Sequence, residues 1–223
     1  MTFFERLKSA AAMEWSAYVE HPFTDAMADA TLSENAFRRY LVQDYLFLIE
    51  FARAYALAVY KAPRLGDMRE AAAGMAAILD VELELHIKIC GGWGLSADDL
   101  EQAAPAAEML AYTRYVLDTG MRGDLLALQV ALAPCIAGYA EIGSRLMEKT
   151  SLAPEDNPYH AWIAEYAGDE YQAVAQKALA QLENLALRYA TEAREMELAA
   201  IFREATRLEA GFWEMGWRLQ GRG

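Results

Sequence analysis

Apolar side chains recur every three or four residues along almost the whole chain, and this spacing constrains the fold more than any other feature. It places the apolar residues on one face of an α-helix. No stretch of strand length alternates apolar and polar residues with the β-branched types that strands favour. The sequence therefore predicts an all-α protein, built as a multi-helical bundle.

We expect seven to nine helices, whose ends are marked by capping residues, prolines and glycines. The segment "HPF" ends the first helix, Ser33 is a candidate N-cap, and Pro105 suits a first helical position. No linker or low-complexity tract interrupts the pattern, so the prediction is a single domain over residues 1–223. The predicted helical segments are 3–20, 33–62, 67–92, 96–102, 105–120, 123–149, 157–168, 170–189 and 195–219.

The charge balance excludes some partners. The formal net charge is −13 over 223 residues, which disfavours both nucleic acid and anionic lipid as partners. The longest apolar run is interrupted by Gln129 and Pro134 and falls short of a membrane span. We therefore expect a small-molecule partner, with no nucleic acid and no membrane.

Cysteine usage bears on the cellular compartment. Two cysteines, Cys90 and Cys135, are too few for a disulfide framework in a chain of this length. The N-terminal segment "MTFFERLKSAAAMEW" also lacks the apolar core of a signal peptide. These features predict a cytoplasmic protein with free thiols.

Cys135 follows Pro134 in the middle of an apolar helix, and Tyr139 comes one turn later on the same face. A proline inside a helix frees a carbonyl near Val130 and bends the backbone. Free cysteine is, however, among the most buried residue types and often acts as a small hydrophobe. The residues alone leave two interpretations open, a kinked core helix and a helix bent to present a thiol.

Two carboxylates lie among aromatic residues. Asp44 interrupts an apolar helix face that includes Phe47, and Glu209 lies three and four residues before Phe212 and Trp213. A carboxylate against aromatic rings suits a flat, hydrogen-bonding heterocycle. For Asp44 the alternative, a boundary position paired with an arginine, is equally open. Buried tyrosines need partners for their hydroxyls, which makes three of them candidates for a binding pocket: Tyr112, Tyr139 and Tyr166.

A metal site is not expected. Glu82 and His86 lie four residues apart, whereas di-iron bundles use Glu-x-x-His on two helices, and the sequence has no second copy. It also lacks HExxH, CxxC and a glycine-rich phosphate loop. The small number of histidines, three in all, disfavours a haem-binding oxidase.

Five motifs in order extend over nearly the whole chain: "EHPF" near residue 20, "QD" at 43–44, "PCIAGYAEIG" at 134–143, "WIAEYAGDEY" at 162–171 and "LEAGFWEMGW" at 208–217. Together they resemble the TenA (thiaminase II) family, a cytoplasmic family with the haem-oxygenase-like fold. The cysteine in "APCIAGYAEIG" is similar to that of the family's cysteine-containing group.

The resemblance implies an enzyme of thiamin salvage. The family hydrolyses 4-amino-5-aminomethyl-2-methylpyrimidine to the hydroxymethyl form, with release of ammonia, and many members also cleave thiamin. It implies no metal or organic cofactor, and a homotetramer. The alternative is a non-catalytic binding or regulatory protein for a thiamin-related pyrimidine. The thiol argues against this alternative, because a protein that only binds the pyrimidine does not need it.

The resemblance also implies roles for individual residues. Cys135 corresponds to the nucleophile, Asp44 to the carboxylate at the pyrimidine's amino edge, and Glu209 to the acid/base residue at the ring nitrogen. The expected substrate-binding residues are Phe47, Tyr112, Tyr139, Tyr166 and Phe212. Phe47 departs from the family, which often has a tyrosine there; a phenyl ring still covers a pyrimidine, but the hydroxyl is lost.

Overall fold

The computed structural model describes residues 1–221 and contains no β-strand within that range. It confirms the all-α prediction, although this part of the chain forms twelve α-helical segments rather than seven to nine. The last two residues of the predicted domain, 222 and 223, lie outside the described residues. The helices are α1 (Phe3–Ala10), α2 (Ala12–Val19), α3 (Pro22–Ala28), α4 (Glu34–Lys61), α5 (Leu65–Ala77), α6 (Leu83–Gly91), α7 (Ala97–Glu101), α8 (Ala107–Arg122), α9 (Leu125–Lys149), α10 (His160–Ala167), α11 (Asp169–Tyr189) and α12 (Glu192–Trp217).

The prediction of one helix over residues 3–20 is wrong, because the chain breaks at Ala11. This residue has φ −119° and ψ 30°, and its N–H donates to the carbonyls of Leu7 and Lys8. α1 packs on α11 and α12, whereas α2 packs on α12 and α9. The break at fully buried Ala11 lets both short helices lie against the core, which one straight helix could not do.

The single helix predicted over residues 67–92 is also wrong in detail. α5 and α6 are joined by a π-helical turn over Ile78–Glu82. Its backbone hydrogen bonds join residues five apart, rather than four apart as in an α-helix. Such turns rotate the residues that follow them and are frequent at functional sites. Here the turn directly precedes the part of α6 that carries His86.

Capping residues set several boundaries. The predicted cap Ser33 is confirmed, since its hydroxyl accepts a hydrogen bond from the Ala36 N–H. "HPF" begins a helix as well as ending one, because Nδ1 of His21 accepts from the Phe23 N–H at 3.1 Å at the start of α3. Pro105 is not a first helical position, because α8 begins two residues later.

α9 is the central helix. It packs against α8, α10, α11 and α12, and it continues through Pro134 to Lys149. The expectation that this run falls short of a membrane span is wrong, because α9 is long and apolar enough to cross a membrane. However, 94% of its most apolar stretch is buried inside the protein. Its composition is therefore accounted for by its place in the core.

Two glycines of α9 allow neighbouring helices to approach closely. A Cβ atom at Gly138 would lie 2.1 Å from Cε1 of Tyr18 on α2. At Gly143 it would lie 2.5 Å from the carbonyl carbon of Tyr166 on α10. The absence of side chains at these positions brings two tyrosines against the helix that carries Cys135.

Candidate functional site

Cys135 lies in the buried middle of α9, one turn before Tyr139. Burial raises the pKa of the thiol well above its usual range, and the nearby carboxyl of Glu209 adds to the rise. The thiol is therefore neutral in the free protein at neutral pH, and a reaction that uses it as a nucleophile must remove its proton.

Glu209 reaches the same region from α12 and is buried. Burial raises the pKa of its carboxyl to about 8, against a lowering effect of Tyr112 and Cys135 beside it. At neutral pH this carboxyl is mostly protonated and can act as an acid. We call Cys135, Glu209 and Tyr112 the thiol–carboxyl cluster.

Asp44 lies on α4 and is buried like the other two. Its Oδ2 atom is 2.8 Å from Nε2 of His86 and 3.0 Å from the hydroxyl of Tyr40. Of the two possibilities left open by the sequence, the arginine pairing is wrong, because the partner is a histidine on α6. Both contacts use Oδ2, so Oδ1 remains to accept a hydrogen bond from a ligand.

A chain of hydroxyls joins Asp44 to the helix of the thiol. The Trp162 Nε1–H donates to the Tyr40 oxygen at 3.3 Å, and Tyr40 donates its single hydrogen to Asp44. The Tyr139 hydroxyl, 3.2 Å from that of Tyr40, must then be the donor of this contact. Its own oxygen is left to accept a hydrogen bond one turn from Cys135.

Aromatic rings surround these groups. Phe47 lies parallel to Tyr112, with 5.5 Å between centroids and 7° between planes, and meets Phe212 edge-on at 5.9 Å. Tyr139 and Tyr166 contact each other at 4.8 Å. Tyr40 joins the two sets, because its ring meets that of Phe212 edge-on at 6.0 Å and its hydroxyl contacts that of Tyr139. The structure thus brings all of the predicted binding residues into one buried group, which we call the aromatic wall: Phe47, Tyr112, Tyr139, Tyr166 and Phe212.

Four buried polar atoms around the thiol–carboxyl cluster have no hydrogen-bond partner among residues 1–221: the hydroxyls of Tyr18 and Tyr112, Oε1 of Glu209 and Nε1 of Trp213. Glu209 and Tyr112 are nevertheless close enough to shift each other's pKa. Buried polar atoms are rarely left unpaired, and a group of them in one place points to a ligand-binding function. Donors and acceptors among aromatic rings suit a small, flat, polar heterocycle.

Several residues of the site escaped the sequence analysis. His86 was considered only as a metal ligand, and Tyr40, Trp162, Tyr18 and Trp213 were not singled out as binding residues. The i, i+4 spacing of Glu82 and His86 was the one available signal, since it places the His86 ring against the Glu82 carbonyl at 2.8 Å.

The fold and the site together define the class of protein. The helical arrangement is the haem-oxygenase-like fold. A crystal structure from Shewanella denitrificans, described as a domain of unknown function with that fold, matches with a TM-score of 0.72. The match covers 98% of this chain and 93% of the Shewanella chain at 10% sequence identity, and this likeness shows the fold alone.

The family is identified by sequence. The model of the TENA/THI-4/PQQC family matches residues 9–219, and the chain belongs to this family. It is 36% identical to the aminopyrimidine aminohydrolase of Halalkalibacterium halodurans over 97% of this chain and 96% of that protein. It is also similar to a crystal structure described as a TenA family transcription regulator from Silicibacter sp., with 42% identity, a TM-score of 0.89 and 96% of each chain covered.

Proposed function

We propose that this protein is an aminopyrimidine aminohydrolase. It hydrolyses 4-amino-5-aminomethyl-2-methylpyrimidine to the hydroxymethyl form and ammonia, and cleaves thiamin as a second substrate, in thiamin salvage. The observation that carries the proposal is the meeting of Cys135, Glu209 and Asp44 inside the aromatic wall. Its relatives named aminopyrimidine aminohydrolase support the same reaction.

Substrate binding follows from the free hydrogen-bonding atoms. Oδ1 of Asp44 accepts from the exocyclic amino group of the pyrimidine, and the protonated carboxyl of Glu209 donates to a ring nitrogen. The pyrimidine faces lie against rings of the aromatic wall, with Phe47 supplying contact but no hydroxyl. This pose leaves the ring carbon beside the protonated nitrogen open to the thiol of Cys135.

In the first half of the reaction the thiol proton moves to the substrate by way of Glu209. Glu209 protonates the ring nitrogen, which makes the adjacent ring carbon electrophilic, and its carboxylate takes the proton of Cys135. A bond forms between Sγ and that carbon. The displaced electron pair expels the protonated amine on the side arm as ammonia, or the thiazole from thiamin, and leaves an exocyclic methylene.

In the second half water replaces the leaving group. Water adds to the exocyclic methylene, and the proton that it loses passes to the released ammonia or, with thiamin, to solvent. The electron pair returns through the ring and breaks the bond from carbon to sulfur. Glu209 gives the proton that it took from Cys135 back to the sulfur, and its carboxylate, now acting as a base, takes the proton of the ring nitrogen. Substrate and water become alcohol and ammonia with no net redox change, so the proposal includes neither a metal nor an organic cofactor.

We further propose that the enzyme is cytoplasmic, folds as one domain and works as a homotetramer. The homotetramer is the oligomeric state that the resemblance to the TenA family implies. Light scattering of the purified protein tests the oligomer, with a mass of four chains expected. A single cooperative unfolding transition tests the single domain.

The experiment that tests the function is ammonia release from a panel of pyrimidines. The panel holds the aminomethylpyrimidine, its formylated precursor and thiamin, and product is identified by mass. We expect stoichiometric ammonia and hydroxymethylpyrimidine from the aminomethyl compound. Tight pyrimidine binding without turnover on any member would contradict the proposal and support the alternative, a non-catalytic binding protein.

A further inference from the structure

His86 is a buried residue whose two ring nitrogens both have partners. Nδ1 lies 2.8 Å from the carbonyl oxygen of Glu82, and Nε2 lies 2.8 Å from Oδ2 of Asp44. A carbonyl oxygen only accepts hydrogen bonds, so Nδ1 carries a hydrogen. The backbone at the end of the π-helical turn therefore sets the tautomer and the orientation of the ring, and directs Nε2 at Asp44.

The hydrogen between His86 and Asp44 resides on the ring. Nε2 of His86 and the hydroxyl of Tyr40 both lie within hydrogen-bond distance of Oδ2 of Asp44. An ionised carboxylate oxygen can accept both hydrogen bonds. Burial by itself lowers the pKa of His86, but the hydrogen bond and charge of Asp44 outweigh it and the pKa is raised. The raised pKa favours the imidazolium form of His86 beside Asp44.

Other titratable groups approach this pair from several elements. They are Tyr40 of α4, Glu82 of the π-helical turn, Cys90 of α6, Cys135 and Tyr139 of α9, Tyr166 of α10 and Glu209 of α12. Burial and the charge of Asp44 raise the pKa of Glu82 to about 7, so this carboxyl carries only part of a charge at neutral pH. His86 is therefore the cation in direct contact with Asp44.

We propose that His86 is a positioning residue, which holds Asp44 ionised and turned so that Oδ1 accepts a hydrogen bond from the amino group of a bound aminopyrimidine. The inference rests on the proposed function for the identity of the ligand. The role is electrostatic and orienting, and His86 itself does not touch the reacting atoms. No metal is part of it.

Matched variants separate this role from a structural one. The amide nitrogen of glutamine reaches the place of Nε2, so His86→Gln keeps a neutral donor to Asp44, whereas the shorter His86→Asn loses it. Loss of a hydrogen bond to a charged group predicts a rise in KM of about 10- to 100-fold for His86→Asn, with a smaller change in kcat. His86→Gln recovers part of the loss. His160→Asn, at the start of α10, is the control and keeps wild-type kinetics.

Nitrogen NMR of the histidine rings tests the pair without using activity. The chain has three histidines, so the His86→Gln variant assigns the His86 signals directly. We expect both His86 nitrogens to be protonated at pH 7, and Asp44→Asn to convert the ring to the neutral Nδ1–H form. A neutral ring in the wild type at pH 7, or unchanged signals in Asp44→Asn, would overturn the inference.

The two proposals fail separately. Ammonia release that is the same in His86→Asn and the wild type would overturn the role of His86 and leave the proposed function intact. A wild-type protein that turns over no pyrimidine would overturn the proposed function, and the NMR signals would still report whether His86 and Asp44 form an ion pair.

Discussion

The carboxyl of Glu209 on α12 is buried beside the thiol of Cys135 on α9. The carboxyl raises the pKa of the thiol, and the thiol lowers the pKa of the carboxyl. Burial favours the neutral form of both groups. Before substrate binds, the thiol and the carboxyl therefore each carry a proton and neither is charged. Glu209 can give its proton to a substrate and take the proton of the thiol.

Glu209→Gln should lower kcat by about 10²- to 10⁴-fold, because glutamine cannot transfer a proton. In the wild type, kcat/KM should fall above about pH 8 as the Glu209 acid form is lost. Initial rates of ammonia release between pH 6 and about pH 9.5 check both statements. Glu214→Gln is the control on the same helix, at a side chain that is 42% exposed. A wild-type rate for Glu209→Gln would contradict the assignment.

The same variant should be more stable than the wild type at alkaline pH. The pKa of Glu209 is raised from 4.5 to about 8 in the folded state, so the unfolded state binds fewer protons between these values. Wild-type stability therefore falls as pH rises through that range. Each pKa unit corresponds to about 1.4 kcal/mol, which predicts a gain of a few kcal/mol for Glu209→Gln near pH 9 and little gain near pH 4.5.

Urea unfolding of both proteins at the two pH values measures this difference. Burial also raises the pKa of Glu82. Glu82 therefore lowers the stability of both proteins as the pH rises, and its effect cancels in the difference between them. Equal stability of Glu209→Gln and the wild type at alkaline pH would contradict the raised pKa of Glu209 in the folded state.

Three glycine substitutions inside helices should have graded effects. Gly211→Ala places a Cβ where no atom lies within 4 Å, so it should stabilise the protein by about 0.5–1 kcal/mol through helix propensity. Gly138→Ala meets the Tyr18 ring and Gly143→Ala meets the Tyr166 backbone, so both should destabilise, by about 1–3 kcal/mol or more.

The order of the three glycine variants is the test. Gly143→Ala should cost the most, because a backbone cannot rotate away as a side chain can, and it should also impair activity by displacing Tyr166. Thermal midpoints and ammonia release of the three variants supply the data. A Gly143→Ala protein as stable as Gly211→Ala would contradict the close approach of α9 and α10.

The sequence was sufficient for the all-α class and the cap at Ser33, because periodicity and capping residues are local signals. The catalytic roles of Cys135, Asp44 and Glu209 stay predictions, which the ordered motifs supply through the family resemblance. The break at Ala11 was not predictable, since alanine is the strongest helix former and the break serves packing of two helices on the core.

The contact between His86 and Asp44 was equally inaccessible to sequence analysis. The two residues lie on different helices, and their pairing depends on how the π-helical turn over Ile78–Glu82 rotates α6 toward α4. Neither proline nor glycine marks that turn. A buried partner of this kind is set by tertiary packing, which a periodic pattern does not encode.

The most direct test of the account compares two cysteine variants in the ammonia-release assay. Both Cys135 and Cys90 are buried and free, so they are matched in size and setting. We predict that Cys135→Ala lowers kcat at least about a thousandfold, as expected for loss of a covalent nucleophile, and that Cys90→Ala changes it little. Release of ammonia by Cys135→Ala at the wild-type rate would contradict the central claim.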